Sequence, residues 1–196
     1  MNLGTSYSGT PPNGAAPWLT ATFADQGLNL VRLTLTATFL NGSEDVKEWG
    51  FNINPALNAS LGSLTFTHIS GATAAAFSKS VDNINEGPSH DYDFQFDWGS
   101  GSNSVFTAGV SSVYDLGGIS GLNANSFNFA SNGSGGHYFS AAHVQNTGSD
   151  FEGSAWIGAP GSVISTVPEP THAGLLMLGV ALLGSVAVRR RRAHSN

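Results

Sequence analysis

The sequence predicts an all-β fold: a single antiparallel β-sandwich of jelly-roll type, followed by a linker and one short C-terminal transmembrane helix. Three observations support this prediction. Apolar and polar residues alternate with period two along several segments, clusters rich in Gly, Asn and Ser separate those segments, and one long apolar run precedes the C-terminus. With 196 residues the chain has room for one ordinary domain and an appendage.

The clearest strand prediction is the segment 28–40, in which alternate apolar residues share one face. Those residues are Val31, Leu33, Leu35, Ala37 and Phe39. The segment 91–98 alternates in the same way, with aromatic residues on one face: Tyr92, Phe94, Phe96 and Trp98. Weaker alternation predicts further strands at 18–23, 47–53, 61–69, 104–113, 126–131, 136–145 and 154–158. Short strands at this spacing favour an antiparallel sandwich.

The chain is predicted to divide into four parts. The sandwich body covers 1–158, and the stretch APGSVIST gives a linker over 159–166. A Pro-Glu-Pro segment, the apolar run and an arginine cluster occupy 167–192, and a tail of four residues follows over 193–196.

Charge is distributed unevenly along the chain. The net charge is −6, but the body up to Val167 carries three basic against twelve acidic residues. Such an acidic body would repel a phosphate backbone, so nucleic acid is not expected as a partner. The chain has no cysteine, which excludes disulfides and thiolate metal sites.

The apolar run 173–188 contains a single polar side chain, Ser185. As a helix it would span about 24 Å, somewhat less than a bilayer core. Arg189, Arg190, Arg191 and Arg192 follow, and such a cluster stays on the cytoplasmic side. We therefore expect a helix in the inner membrane with the body outside. The alternative, a buried helix of a soluble protein, does not fit a helix that is apolar all round and ends in four charges.

The C-terminal segment resembles the PEP-CTERM sorting signal of Gram-negative bacteria. The resemblance rests on Val167, Pro168, Glu169 and Pro170, the apolar run and the four arginines. It implies processing near the Pro-Glu-Pro by an exosortase, a membrane protease, and delivery of the body to the cell surface or matrix, alongside exopolysaccharide. The prolines would keep this site extended and open to a protease.

The N-terminal segment 1–19 has neither a basic region nor an apolar core of the kind found in signal peptides. Export of the body requires such a leader, so we expect one to be missing from this chain. The body itself resembles a group of PEP-CTERM proteins of unassigned activity, through PWLTATF, EWGFNINP, AAHVQ and SAWIG. That resemblance implies no catalytic residues.

Two sets of side chains are candidate sites in the body. Asp91, Asp93 and Asp97 share one face of a predicted strand and could offer oxygen ligands to calcium. We prefer the interpretation that they form a solvated face, and we expect no cofactor. Trp156 and His143 are the candidate ligand contacts, because Trp156 is the tryptophan least accounted for by core packing and His143 is polar among small apolar residues.

No motif for a nucleophilic serine, a phosphate-binding loop or a dinucleotide site is present. We therefore expect a non-enzymatic surface or matrix protein, linked to exopolysaccharide or biofilm. The alternative is a carbohydrate-binding or polysaccharide-cleaving sandwich, a glycoside hydrolase or lyase, delivered by the same signal. Such an enzyme needs two carboxyl groups flanking a cleft.

Overall fold

A computed structural model describes residues 1–88, 90–101, 104–132 and 135–161. The chain divides into two units, Met1–Ser162 and Val163–Asn196. The predicted motif residues 167–170, the apolar run and the arginine cluster lie outside the described residues. Within the described residues, no helix is both long and apolar enough to cross a membrane.

The described body consists of two antiparallel sheets. The five-stranded sheet has the spatial order β1 (Asn2–Leu3), β3 (Leu19–Gly27), β4 (Leu30–Ala37), β10 (Ser111–Gly117) and β6 (Thr65–Gly71). The seven-stranded sheet has the order β2 (Thr5–Gly9), β12 (Gly153–Pro160), β11 (Tyr138–Thr147), β5 (Asp45–Phe51), β8 (Asp91–Asp97) and β7 (Ala76–Asn85), with β9 (Phe106–Thr107) pairing β5. The predicted all-β sandwich is thereby confirmed.

Aromatic side chains fill the space between the two sheets. Phe23 of the five-stranded sheet packs against Phe51 of the seven-stranded sheet. The two rings make an edge-to-face contact, with centroids 5.5 Å apart. Phe66 and Phe94 form a second contact across the core at 5.7 Å. Each such ring removes a large apolar area from water, which stabilises the fold by about 1.5–3 kcal/mol. Trp49 is fully buried in the same core and donates its indole N–H to Ser140 Oγ at 2.8 Å.

The predicted alternation of β4 is confirmed, since Val31, Leu33, Leu35 and Ala37 are buried. Phe39 lies beyond the end of that strand and is 51% exposed, so its assignment to the buried face is wrong. Tyr92 is also misplaced by the prediction. It is buried in a separate cluster with Ile84 and Ala141, while Phe94, Phe96 and Trp98 join the main core.

Tyr92 leaves the aromatic face because the alternation of β8 is interrupted at its start. The register of β7 against β8 shifts between Lys79 and Ile84. Beside this irregularity both carboxylate oxygens of Asp93 accept backbone hydrogen bonds, from Ile53 N at 2.9 Å and from Asp82 N at 2.8 Å. The side chain of Asp93 is thus held between two neighbouring segments rather than on a free sheet face.

Several predicted boundaries are corrected by the structure. The segment 126–131 is not a strand: its first two residues end a short 3-10 helix, Ala124–Phe127, with its N-cap at Asn123, and residues 128–131 belong to no strand. A second 3-10 helix, Pro55–Ser63, replaces the start of the strand predicted at 61–69. The segment 104–113 contains β9 and the start of β10 rather than one strand. The last strand continues to Pro160, so the body extends two residues into the predicted linker.

Candidate functional site

The structure brings the two candidate ligand contacts, Trp156 and His143, together on the outer face of the seven-stranded sheet. Trp156 lies on β12 and His143 lies opposite it on β11. Their rings stack with centroids 4.6 Å apart and planes at 15°. Both side chains face away from the core, since Ala155 and Ile157 on β12 and Ala142 and Val144 on β11 point into it.

Trp156 is less accessible than the sequence suggests. It is only half-exposed, because the segment after β7 folds back over the sheet and places Gly87 against its ring. A Cβ atom added at Gly87 would lie 2.7 Å from Cγ of Trp156. The indole ring therefore lies between its neighbours and does not form an open stacking platform.

The Trp156–His143 pair continues across the sheet as a row of polar residues. His143 pairs with Glu48 of β5, and Glu48 pairs with Asp97 of β8. Directly opposed residues on neighbouring strands have Cβ atoms about 4.5–5.5 Å apart. We call these four residues, Trp156, His143, Glu48 and Asp97, the outer row.

His143 and Glu48 are close but do not form a strong ion pair. Nδ1 of His143 lies 3.8 Å from Oε2 of Glu48. Burial lowers the pKa of His143, and the effects of Asp45 and Lys47 oppose each other. Burial also raises the pKa of Glu48, as does the nearby Asp97. At neutral pH the imidazole is therefore uncharged, and its contact with Glu48 is a weak polar one.

A second row, of small residues, runs beside the outer row. Gly158, Ala141 and Gly50 occupy matching positions on β12, β11 and β5. Their small size leaves room for side chains that lie flat on the sheet. Cγ of Glu86 lies 2.6 Å from the position of a Cβ atom added at Gly50, and Tyr138 covers Gly158 in the same way.

Glu86 is the most unusual group of this face. It is 0% exposed, and neither carboxyl oxygen has a hydrogen-bond partner among the described residues. Burial raises its pKa well above its usual range, and the charges of Glu48 and Asp97 raise it further. Glu86 is therefore a buried carboxylic acid beside two partly exposed carboxylates.

A carboxyl group with a raised pKa beside an ionised one is the pattern that glycoside hydrolases use for acid–base catalysis. Here the geometry departs from that pattern, because Glu86 is shielded from solvent by its own backbone segment and by the sheet. Only Glu48 and Asp97 of the three are accessible. As folded, this face does not present Glu86 to a substrate.

The three candidate calcium ligands do not come together. Asp97 accepts a hydrogen bond from Nε2 of Gln95 at 2.7 Å and belongs to the outer row. Asp91 is half-buried beside Asn132, with which its backbone pairs. Asp93 is 3% exposed, so its assignment to a solvated face is wrong. In the described ranges, no three His, Cys, Asp or Glu side chains are grouped as metal ligands would be.

Glu86 and His90 do not stand out in the sequence, because both lie in a segment, 85–91, whose composition is that of a turn. His90 is 2% exposed, and its ring lies 4.4 Å from that of Tyr7 and 5.1 Å from that of Tyr138. These contacts join residues far apart in the chain. No local pattern in the sequence predicts these long-range contacts.

Comparison with known families matches residues 166–192 to the PEP-CTERM protein-sorting motif. The match includes all four predicted motif residues, 167–170, and all four arginines, 189–192. No curated protein and no solved structure matches the chain. The motif is that of sorted, exported proteins, whose processing is carried out by an exosortase. Residues 166–192 thus carry the PEP-CTERM protein-sorting motif that the sequence predicts.

Proposed function

We propose that this protein is a non-enzymatic component of the cell surface or extracellular matrix, associated with exopolysaccharide or biofilm. An exosortase-type membrane protease would process it next to Val167, Pro168, Glu169 and Pro170. The single observation that carries this proposal is the sorting motif at residues 166–192. In this proposal the body is a jelly-roll-like sandwich that the motif delivers.

Before processing, residues 173–188 would anchor the chain in the inner membrane as one helix. The run is apolar apart from Ser185, and four permanent positive charges follow it. Moving a guanidinium group through the bilayer is costly, so Arg189–Arg192 would stay in the cytoplasm while the acidic body lies outside.

The end of the body supports processing at this position. The last strand, β12, pairs on one side with β2 and on the other with β11. Beyond it, Gly161 N donates to His137 O at 2.7 Å. Seven residues, 161–167, then separate this strand from Pro168. Cleavage near the Pro-Glu-Pro would therefore remove no strand of either sheet.

The proposal is tested by expressing the full chain and a variant lacking residues 168–196 in an exosortase-containing host. Mass spectrometry of the cell-surface and medium fractions would give the C-terminus of each mature form. We expect the full chain to lose its apolar run and the deletion variant to bypass processing. Removal of only 193–196 is the matched control and should leave sorting intact. Identical localisation of the full chain and the 168–196 deletion would refute the proposal.

The second candidate function is binding or cleavage of a polysaccharide on the outer row. It is favoured by the accessible carboxylates of Glu48 and Asp97, which can accept hydrogen bonds from sugar hydroxyl groups beside the half-buried Trp156–His143 stack. A glycan array probed with the full chain in detergent micelles tests it. Trp156→Ala and Glu48→Gln should each abolish any signal, while the exposed Glu152→Gln should not. Release of new reducing ends would separate cleavage from binding.

A further inference from the structure

A cavity of about 200 Å³ opens on the body, and no residue of the outer row lines it. It lies where β5 ends, where the 3-10 helix Pro55–Ser63 begins, and where the irregular part of β7 passes the start of β8. Five of its lining side chains carry oxygen atoms: Asn52, Asn58, Asp82, Asp93 and Asn132. We call the space that these five side chains line the oxygen-lined cavity.

Two of these side chains lack the partners that buried polar groups normally have. Asn52 is 3% exposed, and neither Oδ1 nor Nδ2 forms a hydrogen bond within the described residues. Oδ1 of Asn58 is likewise buried without a partner. An unsatisfied buried amide costs about 1–3 kcal/mol. Such groups lining a cavity indicate a ligand that supplies the missing interactions.

The charge of the cavity indicates what kind of ligand fits. Asp93 is buried and the neighbouring Asp82 is exposed, and the described lining includes no Lys, Arg or His. Burial raises the pKa of Asp93, and the neighbouring charge of Asp82 raises it further, against the two backbone hydrogen bonds that lower it. The negative charge of the cavity is therefore not balanced by its own walls.

The second carboxylate is held at the cavity by its own contacts. Oδ1 of Asp82 accepts a hydrogen bond from Nδ2 of Asn132 at 2.7 Å, and its backbone N–H donates to Asp93. Each carboxylate oxygen of Asp93 accepts one backbone hydrogen bond and keeps a further lone pair. Both carboxylates thus retain the capacity to bind a cation.

We propose that the oxygen-lined cavity binds a calcium ion, with Asp93 and Asp82 as the charged ligands and Asn52, Asn58 and Asn132 as amide ligands. Calcium accepts six to eight oxygen ligands in flexible geometry, including amide carbonyls and water. Magnesium demands a stricter octahedral shell and keeps its waters, so it fits amide-rich walls less well. A neutral sugar would satisfy Asn52 but would leave both carboxylates without a counter-charge.

The site differs from the one that the sequence suggests, because it excludes Asp91 and Asp97 and includes three asparagines. Occupancy of the site requires only that the body is exposed to calcium at a sufficient concentration. Extracellular modules bind this ion with Kd values of about 10⁻⁴–10⁻³ M. The proposal does not depend on exosortase processing or on a polysaccharide ligand.

The test uses the full chain in non-ionic detergent, stripped with EDTA and titrated with CaCl2 by calorimetry, with thermal unfolding followed by circular dichroism. We expect one calcium per chain, and a higher Tm in calcium than in EDTA or in an equal concentration of MgCl2. Asp82→Asn changes an exposed side chain, so it should keep the fold and weaken binding at least about tenfold, since affinity rises with ligand charge. Asp91→Asn is the matched control and should bind as the unchanged chain does.

Asn52→Asp provides a gain-of-function arm with almost unchanged side-chain shape. It adds a third charged ligand, so calcium should bind more tightly while the variant unfolds at lower temperature in EDTA. The proposal is overturned if calcium does not bind, or if Asp82→Asn and Asn52→Asp leave the affinity unchanged. A Tm that rises with monosaccharides but not with calcium would identify a sugar as the occupant and overturn it equally.

Discussion

His143 and Trp156 stack across two neighbouring strands, with ring planes at 15° and centroids 4.6 Å apart. Because burial lowers the pKa of His143, the imidazole that contacts the indole is neutral at neutral pH. The contact is therefore one between two flat, uncharged rings, in a half-buried position. It makes the stability of this face sensitive to acid.

We predict that acidification destabilises the body through His143. A histidine whose folded pKa lies below its unfolded value of about 6.5 contributes full stability above that value. This contribution is lost as the pH falls through the folded pKa, because the unfolded chain binds the proton more tightly. His143→Phe keeps a stacking ring without a titratable group, so urea unfolding between pH 7.5 and pH 5 should show a smaller loss of stability in the variant. Parallel pH profiles would contradict this prediction.

Gly87→Ala should destabilise the body more than the same change at a comparable glycine. Gly87 has φ +79° and faces the ring of Trp156, whereas Gly109 has φ +76° and has open space around it. Gly109→Ala therefore reports the backbone strain alone, about 1–2 kcal/mol. Gly87→Ala adds overpacking against Trp156, about 1–3 kcal/mol more. Urea unfolding of both variants measures the difference.

Equal free energies of unfolding for Gly87→Ala and Gly109→Ala would mean that the segment after β7 does not pack on Trp156. The emission of the four tryptophans offers a second readout. It should change in Gly87→Ala, in which the indole environment is disturbed, and stay constant in Gly109→Ala.

Glu86→Gln should stabilise the body, and increasingly so at higher pH. The pKa of Glu86 is raised in the folded chain. The free energy of unfolding is therefore highest below the unfolded pKa of about 4.3 and falls as the pH rises toward the folded pKa, because the unfolded chain loses the proton first. Across that window the loss is up to about 1.4 kcal/mol per pH unit. Glutamine has no proton to lose and, since Glu86 makes no side-chain hydrogen bond in the described structure, breaks none.

Chemical unfolding at pH 5 and pH 8 tests the Glu86→Gln prediction, with the exposed Glu152→Gln as control. The gain in stability of Glu86→Gln should be larger at pH 8, and the control should stay within about 0.5 kcal/mol of the unchanged chain. A variant less stable than the unchanged chain at pH 8 would show that the buried carboxyl has a role that an amide cannot fill.

The sequence predicts the sandwich because a strand with one buried face and one solvated face has apolar and polar residues in alternation. Strand β4 shows this plainly: its buried residues alternate with Arg32, Thr34 and Thr36. The edge strand β7 was missed for the opposite reason. Nearly all its side chains are exposed, and main-chain pairing with β8 holds it in place, so it leaves no apolar pattern.

The candidate site could be predicted only in part. Trp156 and His143 stand out as residues that the core does not explain, and cross-strand pairing brings them together. The burial of Glu86 depends on a long-range contact with Gly50, which no local spacing encodes. The departure of Tyr92 from its expected face depends on the hydrogen bonds of Asp93 to two other segments, which are equally invisible in the sequence.

Glu44→Gln should destabilise the body although Glu44 lies in a segment with the composition of a turn. Glu44 is 0% exposed, and its two oxygens accept the backbone N–H groups of Asn13 at 2.6 Å and Asn41 at 2.7 Å. An amide keeps one acceptor and turns a donor toward the other N–H, leaving a buried donor unpaired at a cost of about 1–3 kcal/mol. Urea unfolding of Glu44→Gln beside Glu152→Gln measures this loss. A cost no larger than that of the exposed control would mean that the two loops are held together by other contacts.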